Sequence, residues 1–99
     1  MRVSNSATIM KQVNTSSSLE YAPAISSSGL ELFFTRLEGS NAVLYTATRT
    51  DTSSPFGVPK RIRAATGFVE GPTLSPDEKS LYYHKREGSL FVIYRVTRP

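Results

Sequence analysis

His84 is the one histidine of the chain, and there is no cysteine. A Ser-His-Asp triad would have to use His84, and no G-x-S-x-G elbow accompanies it. A zinc site needs several His or Cys ligands, which are absent. His84 therefore reads as a packed or surface strand residue beside Tyr83. The eight carboxylates are dispersed. Glu38 and Glu87 occupy equivalent hairpin positions, so their recurrence reflects a repeat and not an acid–base pair. Asp77 reads as a turn residue. No G-x-G-x-x-G or Walker-type loop offers a phosphate cradle. Asn14-Thr15-Ser16 matches the glycosylation sequon by form alone. The run Tyr82-Tyr83-His84-Lys85-Arg86 pairs rings with cations, as single-stranded nucleic-acid sites do. Its ring positions recur as Phe33 and Phe34, which fits packing between sheets better. No catalytic, cofactor or metal residue is assigned, and no nucleic acid is expected.

These residues are set out by a repeat. Leu19–Arg49 reads LEYAPAISSSGLELFFTRLEGSNAVLYTATR, and Phe68–Arg98 reads FVEGPTLSPDEKSLYYHKREGSLFVIYRVTR. The offset is 49 residues without a gap, and ten of 31 aligned positions are identical. Those ten are Pro23/Pro72, Ser26/Ser75, Leu32/Leu81, Glu38/Glu87, Gly39/Gly88, Ser40/Ser89, Val43/Val92, Tyr45/Tyr94, Thr48/Thr97 and Arg49/Arg98. A period of this length marks an array of supersecondary units.

Composition sets the limits. Ninety-nine residues make about one small domain. With 38% hydrophobic residues the core is modest, and a chain this short buries only roughly 60–65% of its unfolded surface. The net charge of +4 comes mostly from residues 51–99, which hold eight basic and five acidic side chains. No dense basic run forms, so the excess reads as scattered surface charge. No apolar run approaches the roughly 18 residues of a membrane span. The start, MRVSNSATIMKQV, has no apolar signal-peptide region. Either a periplasmic or a cytoplasmic setting remains open.

Short β-rich runs recur between Ser, Gly, Pro, Asn and Asp clusters, which predicts an all-β fold. Leu32–Thr35 and Leu81–His84 are corresponding strands, as are Ala42–Thr48 and Leu90–Val96. Their neighbouring apolar residues suit strands covered on both faces. Pro23–Ile25 and Pro72–Leu74 are shorter strands before each hairpin. Lys60–Ala64 reads as a more polar edge strand. Ser75-Pro76-Asp77-Glu78 has the chemistry of a type I turn, and Gly29 aligns with Glu78. Gly39-Ser40-Asn41 and Gly88-Ser89 are hairpin tips.

The run PTLSPDEKSLYYHKREGSLFVIYRV resembles a β-propeller blade of the WD-repeat-like, Pro-Asp type found in TolB-like propellers. That type runs through a short inner strand, an S-P-D-G-K turn, an apolar second strand, a turn, and a third strand containing Ile-Tyr. Residues 19–49 match more loosely, keeping Gly29 without the Pro and Asp. Glu78 stands where the family prefers glycine.

The resemblance implies a single unit over residues 7–99, built from blade-type four-stranded antiparallel sheets. Residues 7–13 are expected to be an outer strand, 19–64 the first blade, and 68–98 the second. Two blades do not close a ring, since propellers typically need 4–8. The chain is then either part of a longer one or completed by copies of itself, three of which give six blades. The implied role is a non-enzymatic binding or scaffolding module with a protein or ligand partner. By position in the family, Tyr21, Arg36, Glu70, Lys85 and Arg86 are candidate contact residues. Two other readings are a propeller that gates a prolyl-oligopeptidase-like serine hydrolase in a longer parent, and an oligomeric sugar-binding propeller.

Overall fold

The structure is a computed structural model that describes residues 6–99, with side chains from Thr8 onward. Two antiparallel meanders make up the fold. The first sheet runs β1 (Leu19–Ile25), β2 (Glu31–Glu38), β3 (Asn41–Thr48) and β4 (Lys60–Arg61), in that order. The second runs β5 (Val69–Leu74), β6 (Ser80–Glu87) and β7 (Leu90–Thr97). The all-β class and the central strands agree with the expectation from sequence.

The repeat extends to register. Leu32 pairs with Ala47 and Phe34 with Tyr45 in the first sheet; Leu81 pairs with Val96 and Tyr83 with Tyr94 in the second. Both long hairpins turn on two residues, Gly39-Ser40 and Gly88-Ser89. Each opening glycine has positive φ, 61° and 62°, as a type II′ turn requires. The inner strands are bulged at the same place, between Tyr21 and Ala24 and between Glu70 and Thr73.

Strand pleating gives each sheet two faces. One face of the first sheet, carrying Phe33 and Leu44, packs against the face of the second that carries Val69, Leu81 and Tyr83. Ile62 and Ala65, just after β4, fill the space between them. The reverse face of the first sheet, with Leu32, Phe34 and Ala47, is covered by Ile9, Met10, Val13 and Phe56.

Three expectations are corrected. Residues 7–13 are not an outer strand: α1 (Ser6–Ile9) is a single helical turn, followed by a turn closed by Met10 O accepting from Val13 N and Asn14 N, both at 2.9 Å. Helical spacing gathers Ile9, Met10 and Val13 onto one side, where they bury against the first sheet. A strand would alternate those side chains between faces. The second sheet consequently has three strands and not four. The edge strand at Lys60–Ala64 shortens to two residues. Ile62 still donates to Leu44 O at 2.9 Å, but the chain then turns to bring Ala65 into the core.

Coverage of the second hairpin on both faces also fails. Residues Leu90–Ile93 of β7 are exposed, whereas Ala42–Leu44 of β3 are buried. Nothing among the described residues covers the far face of the second sheet.

Candidate functional site

The register carries all five candidate residues to one end of the two sheets. Tyr21 lies opposite Thr35, and Arg36 opposite Glu20. Glu70 lies opposite His84 and Lys85 opposite Val69. Arg86 faces Phe91 across β6 and β7. Tyr21 and Glu70 are repeat-equivalents, as are Arg36 and Lys85.

Arg36 is held internally. Its Nε lies 3.0 Å from Glu20 Oε2, and Nη2 donates to Val13 O at 2.8 Å. The guanidinium sits 4.6 Å from the Tyr45 ring centroid. Only 13% of the side chain is exposed, and 8% of that of Glu20. Arg36 thus ties β1, β2 and the 10–13 turn together and presents little to a partner.

Tyr21 and Glu70 are joined as well. The Tyr21 hydroxyl donates to Glu70 Oε2 at 2.6 Å, linking the two sheets. Burial, and then this bond, push the Tyr21 hydroxyl up to about 12. Two further tyrosines close their own hairpins: Tyr45 donates to Glu38, and Tyr94 to Glu87. Burial raises the Tyr45 pKa foremost, whereas the Glu87 bond dominates at Tyr94.

Arg86 is exposed and Lys85 half-buried. Lys85 Nζ lies 5.1 Å from the Tyr94 ring centroid, and Arg86 stands 4.2 Å over Phe68. Neither makes an ion pair with a carboxylate among the described residues. These cation–ring contacts orient the charges without neutralising them.

One surface escapes sequence reasoning. Beside Arg86, the open face of the second sheet carries Tyr82, His84, Phe91 and Ile93, all exposed. Phe91 meets Phe68 and His84 edge-on, at centroid distances of 6.1 and 6.5 Å. The repeat alignment matches Tyr82 and Ile93 with the core residues Phe33 and Leu44, so these positions read as interior in the sequence.

Among the described residues, no cluster of three or more His, Cys, Asp or Glu side chains is placed to hold a metal ion. No helix there is long and apolar enough to cross a membrane. An apolar cleft of about 180 Å³ opens at the other end of the sheets, between Phe33, Ile62, Leu74 and Val96, with Glu78 and Arg98 at its margin. A second, of about 170 Å³, lies between Met10, Val13 and Asn14 on one side and Tyr21 and Pro23 on the other. No protein-family model matches the chain, and no curated protein matches it in sequence.

Proposed function

We propose that the chain is a two-blade unit of β-propeller type, of the WD-repeat-like, Pro-Asp kind, serving as a binding or scaffolding module through protein contacts and not through catalysis. The observation that carries this reading is the side-chain agreement between repeats. In each sheet a third-strand tyrosine donates to the glutamate of the adjoining turn, and stacks on the ring opposite. In each, the terminal arginine donates through Nε to the carbonyl of the left-handed turn residue, Arg49 to Gly29 O and Arg98 to Glu78 O. Radial repetition of such sheets is the propeller architecture, and this agreement between the two is what supports the reading.

The protein-contact surface assigned here is Lys85 and Arg86 with the neighbouring hairpin tip at Gly88-Ser89. Arg36, Tyr21 and Glu70 support it from within. The test is quantitative affinity capture from cells expressing the chain, comparing it with the double variant Lys85→Glu, Arg86→Glu. A partner retained saturably by the parent chain and released by the variant, at unchanged melting temperature, supports the reading. A partner retained equally by both overturns the assignment of these two residues.

A further inference from the structure

The interface between the two sheets joins unlike faces. The Phe33 and Leu44 face of the first sheet meets the Leu81 and Tyr83 face of the second. The repeat therefore leaves the matching half-interface of the second sheet open, while on the first sheet Leu32 and Phe34, equivalents of Leu81 and Tyr83, are covered by Ile9, Met10, Val13 and Phe56. The second sheet presents Tyr82 and Ile93, equivalents of Phe33 and Leu44, with Ile93 60% exposed. The first sheet presents Pro23 and Ile25 on β1, equivalents of Pro72 and Leu74. Pro72 is buried and Leu74 packs against the core, yet Ile25 is 52% exposed.

We infer that the open face of the second sheet docks head to tail onto the Pro23–Ile25 side of the first sheet of another copy of this chain. The inference rests on the blade reading above and names one partner for it.

Repeat-equivalence fixes what each polar tie between the sheets becomes at such a junction. Tyr21 donates to Glu70, its own repeat-equivalent. At a junction between copies the same place brings Glu70 of one beside Tyr21 of the next, but the single Tyr21 proton is already given to its own Glu70, so this place adds no new bond. Ser27 N donates to Glu78 Oε2 at 2.6 Å. The equivalent pair between copies is Pro76 and Gly29, which lose donor and acceptor together and strand neither. Thr35 Oγ1 accepts from Gly71 N at 3.0 Å. His84 replaces Thr35 at the junction, and an imidazole nitrogen can accept from the Ala22 amide in the same way. Arg98 holds Glu31 by two bonds, of 2.7 and 2.8 Å, and the matching pair is Arg49 with Ser80, a weaker tie that is still compatible.

The N-terminal turn forms part of the receiving surface: Ile9, Met10 and Val13, with Phe56, lie over Leu32 and Phe34, and a second copy seats against this layer beside the exposed Ile25. Val13 aligns with Ile62 at the 49-residue offset. Ile62 already packs between the sheets, and Val13 packs on the matching face of the first sheet. Val13 thus occupies the place that a junction requires. An interface between unlike faces closes into a ring or continues as a filament. With 4–8 blades in known rings, closure takes two to four copies.

The test uses the full chain and two variants at exposed positions, Ile93→Glu on the presenting face and Ile25→Glu on the receiving face. Mass is measured by light scattering after size exclusion, with near-ultraviolet circular dichroism on each sample. The parent chain should weigh two to four monomers and each variant one. Mixed together, the variants should form a one-to-one pair, because each keeps the face the other has lost. A parent chain that is monomeric at high micromolar concentration, an oligomer that survives both substitutions, or variants that fail to pair would each overturn the proposal. The tyrosine signal separates the two levels of inference. A monomer with a strong fixed-ring signal removes self-association and leaves the two-sheet unit standing, whereas loss of that signal in the parent chain overturns both.

Discussion

Ala22 and Glu78 hold backbone conformations that suit glycine. Their φ values are 53° and 61°, in the left-handed region where a Cβ crowds the following carbonyl. Each has a glycine as repeat-equivalent, Gly71 at φ 69° and Gly29 at φ 77°. Glu78 follows the turn in which Ser75 O accepts from its amide at 2.9 Å, and Asp77 braces that turn through Ser75 and the Lys79 amide. Relief of strain at such a site is worth about 1 kcal/mol. Glu78→Gly also gives up the bond to Ser27 N, an exposed contact worth about 0.5 kcal/mol. Ala22→Gly gives up only a methyl group. Both substitutions should therefore stabilise, Ala22→Gly more. Calorimetry should show melting rising by about 4–8 °C per kcal/mol for a domain of this size. A fall in both melting temperatures would refute the strain argument. The demand at position 78 is legible in the sequence, because a turn motif and an aligned glycine point to it. The demand at position 22 is not, because a bulge within a strand leaves no mark when alanine occupies it.

At the scale of elements, the strands were legible wherever apolar residues cluster between turn signals, and the first segment was not. ATIMKQV aligns with the region of β4, but a helical turn buries Ile9, Met10 and Val13 together, and tertiary contact decides between two short alternatives. The tie between β1 and β5 was equally hidden: Tyr21 and Glu70 are candidate contact residues by position, and in the structure they contact each other. That tie should govern stability at alkaline pH. The folded Tyr21 hydroxyl titrates near 12, against an ordinary value of about 10. A raised pKa means that the stabilisation is complete below pH 10 and is lost as pH climbs from about 10 to about 12. Tyr21→Phe should cost about 1 kcal/mol at pH 8. Denaturant melts in steps from pH 8 to 12 should then show this difference shrinking with pH. Tyr45, Tyr83 and Tyr94 are also raised and keep a residual slope in the variant. A difference that stays constant up to pH 12 would show that the Glu70 bond contributes nothing to folding.

For the whole molecule, the repeat is symmetric in sequence and asymmetric in energy. Leu44 and Ile93 hold the same place in their sheets, yet Leu44 is 0% exposed and Ile93 60%. Truncating a buried leucine costs roughly 2–5 kcal/mol, because transfer and cavity terms add. Truncating an exposed isoleucine changes stability by about 0.5 kcal/mol or less. In a dilute solution of monomers, Leu44→Ala should unfold at much lower denaturant, while Ile93→Ala should match the parent chain. Raising the protein concentration should change the second result only. Binding that favours the folded, assembled chain adds stability by mass action, so the parent should gain midpoint with concentration and Ile93→Ala should gain less. Urea midpoints at low and high micromolar protein measure both effects. Equal costs for the two substitutions at high dilution would mean that the second sheet is covered within a single chain. A midpoint independent of concentration would mean that Ile93 meets no second copy. The asymmetry itself comes from stacking two related units face to back: the second sheet keeps an open face, while the matching layer of the first is covered by Ile9, Met10, Val13 and Phe56.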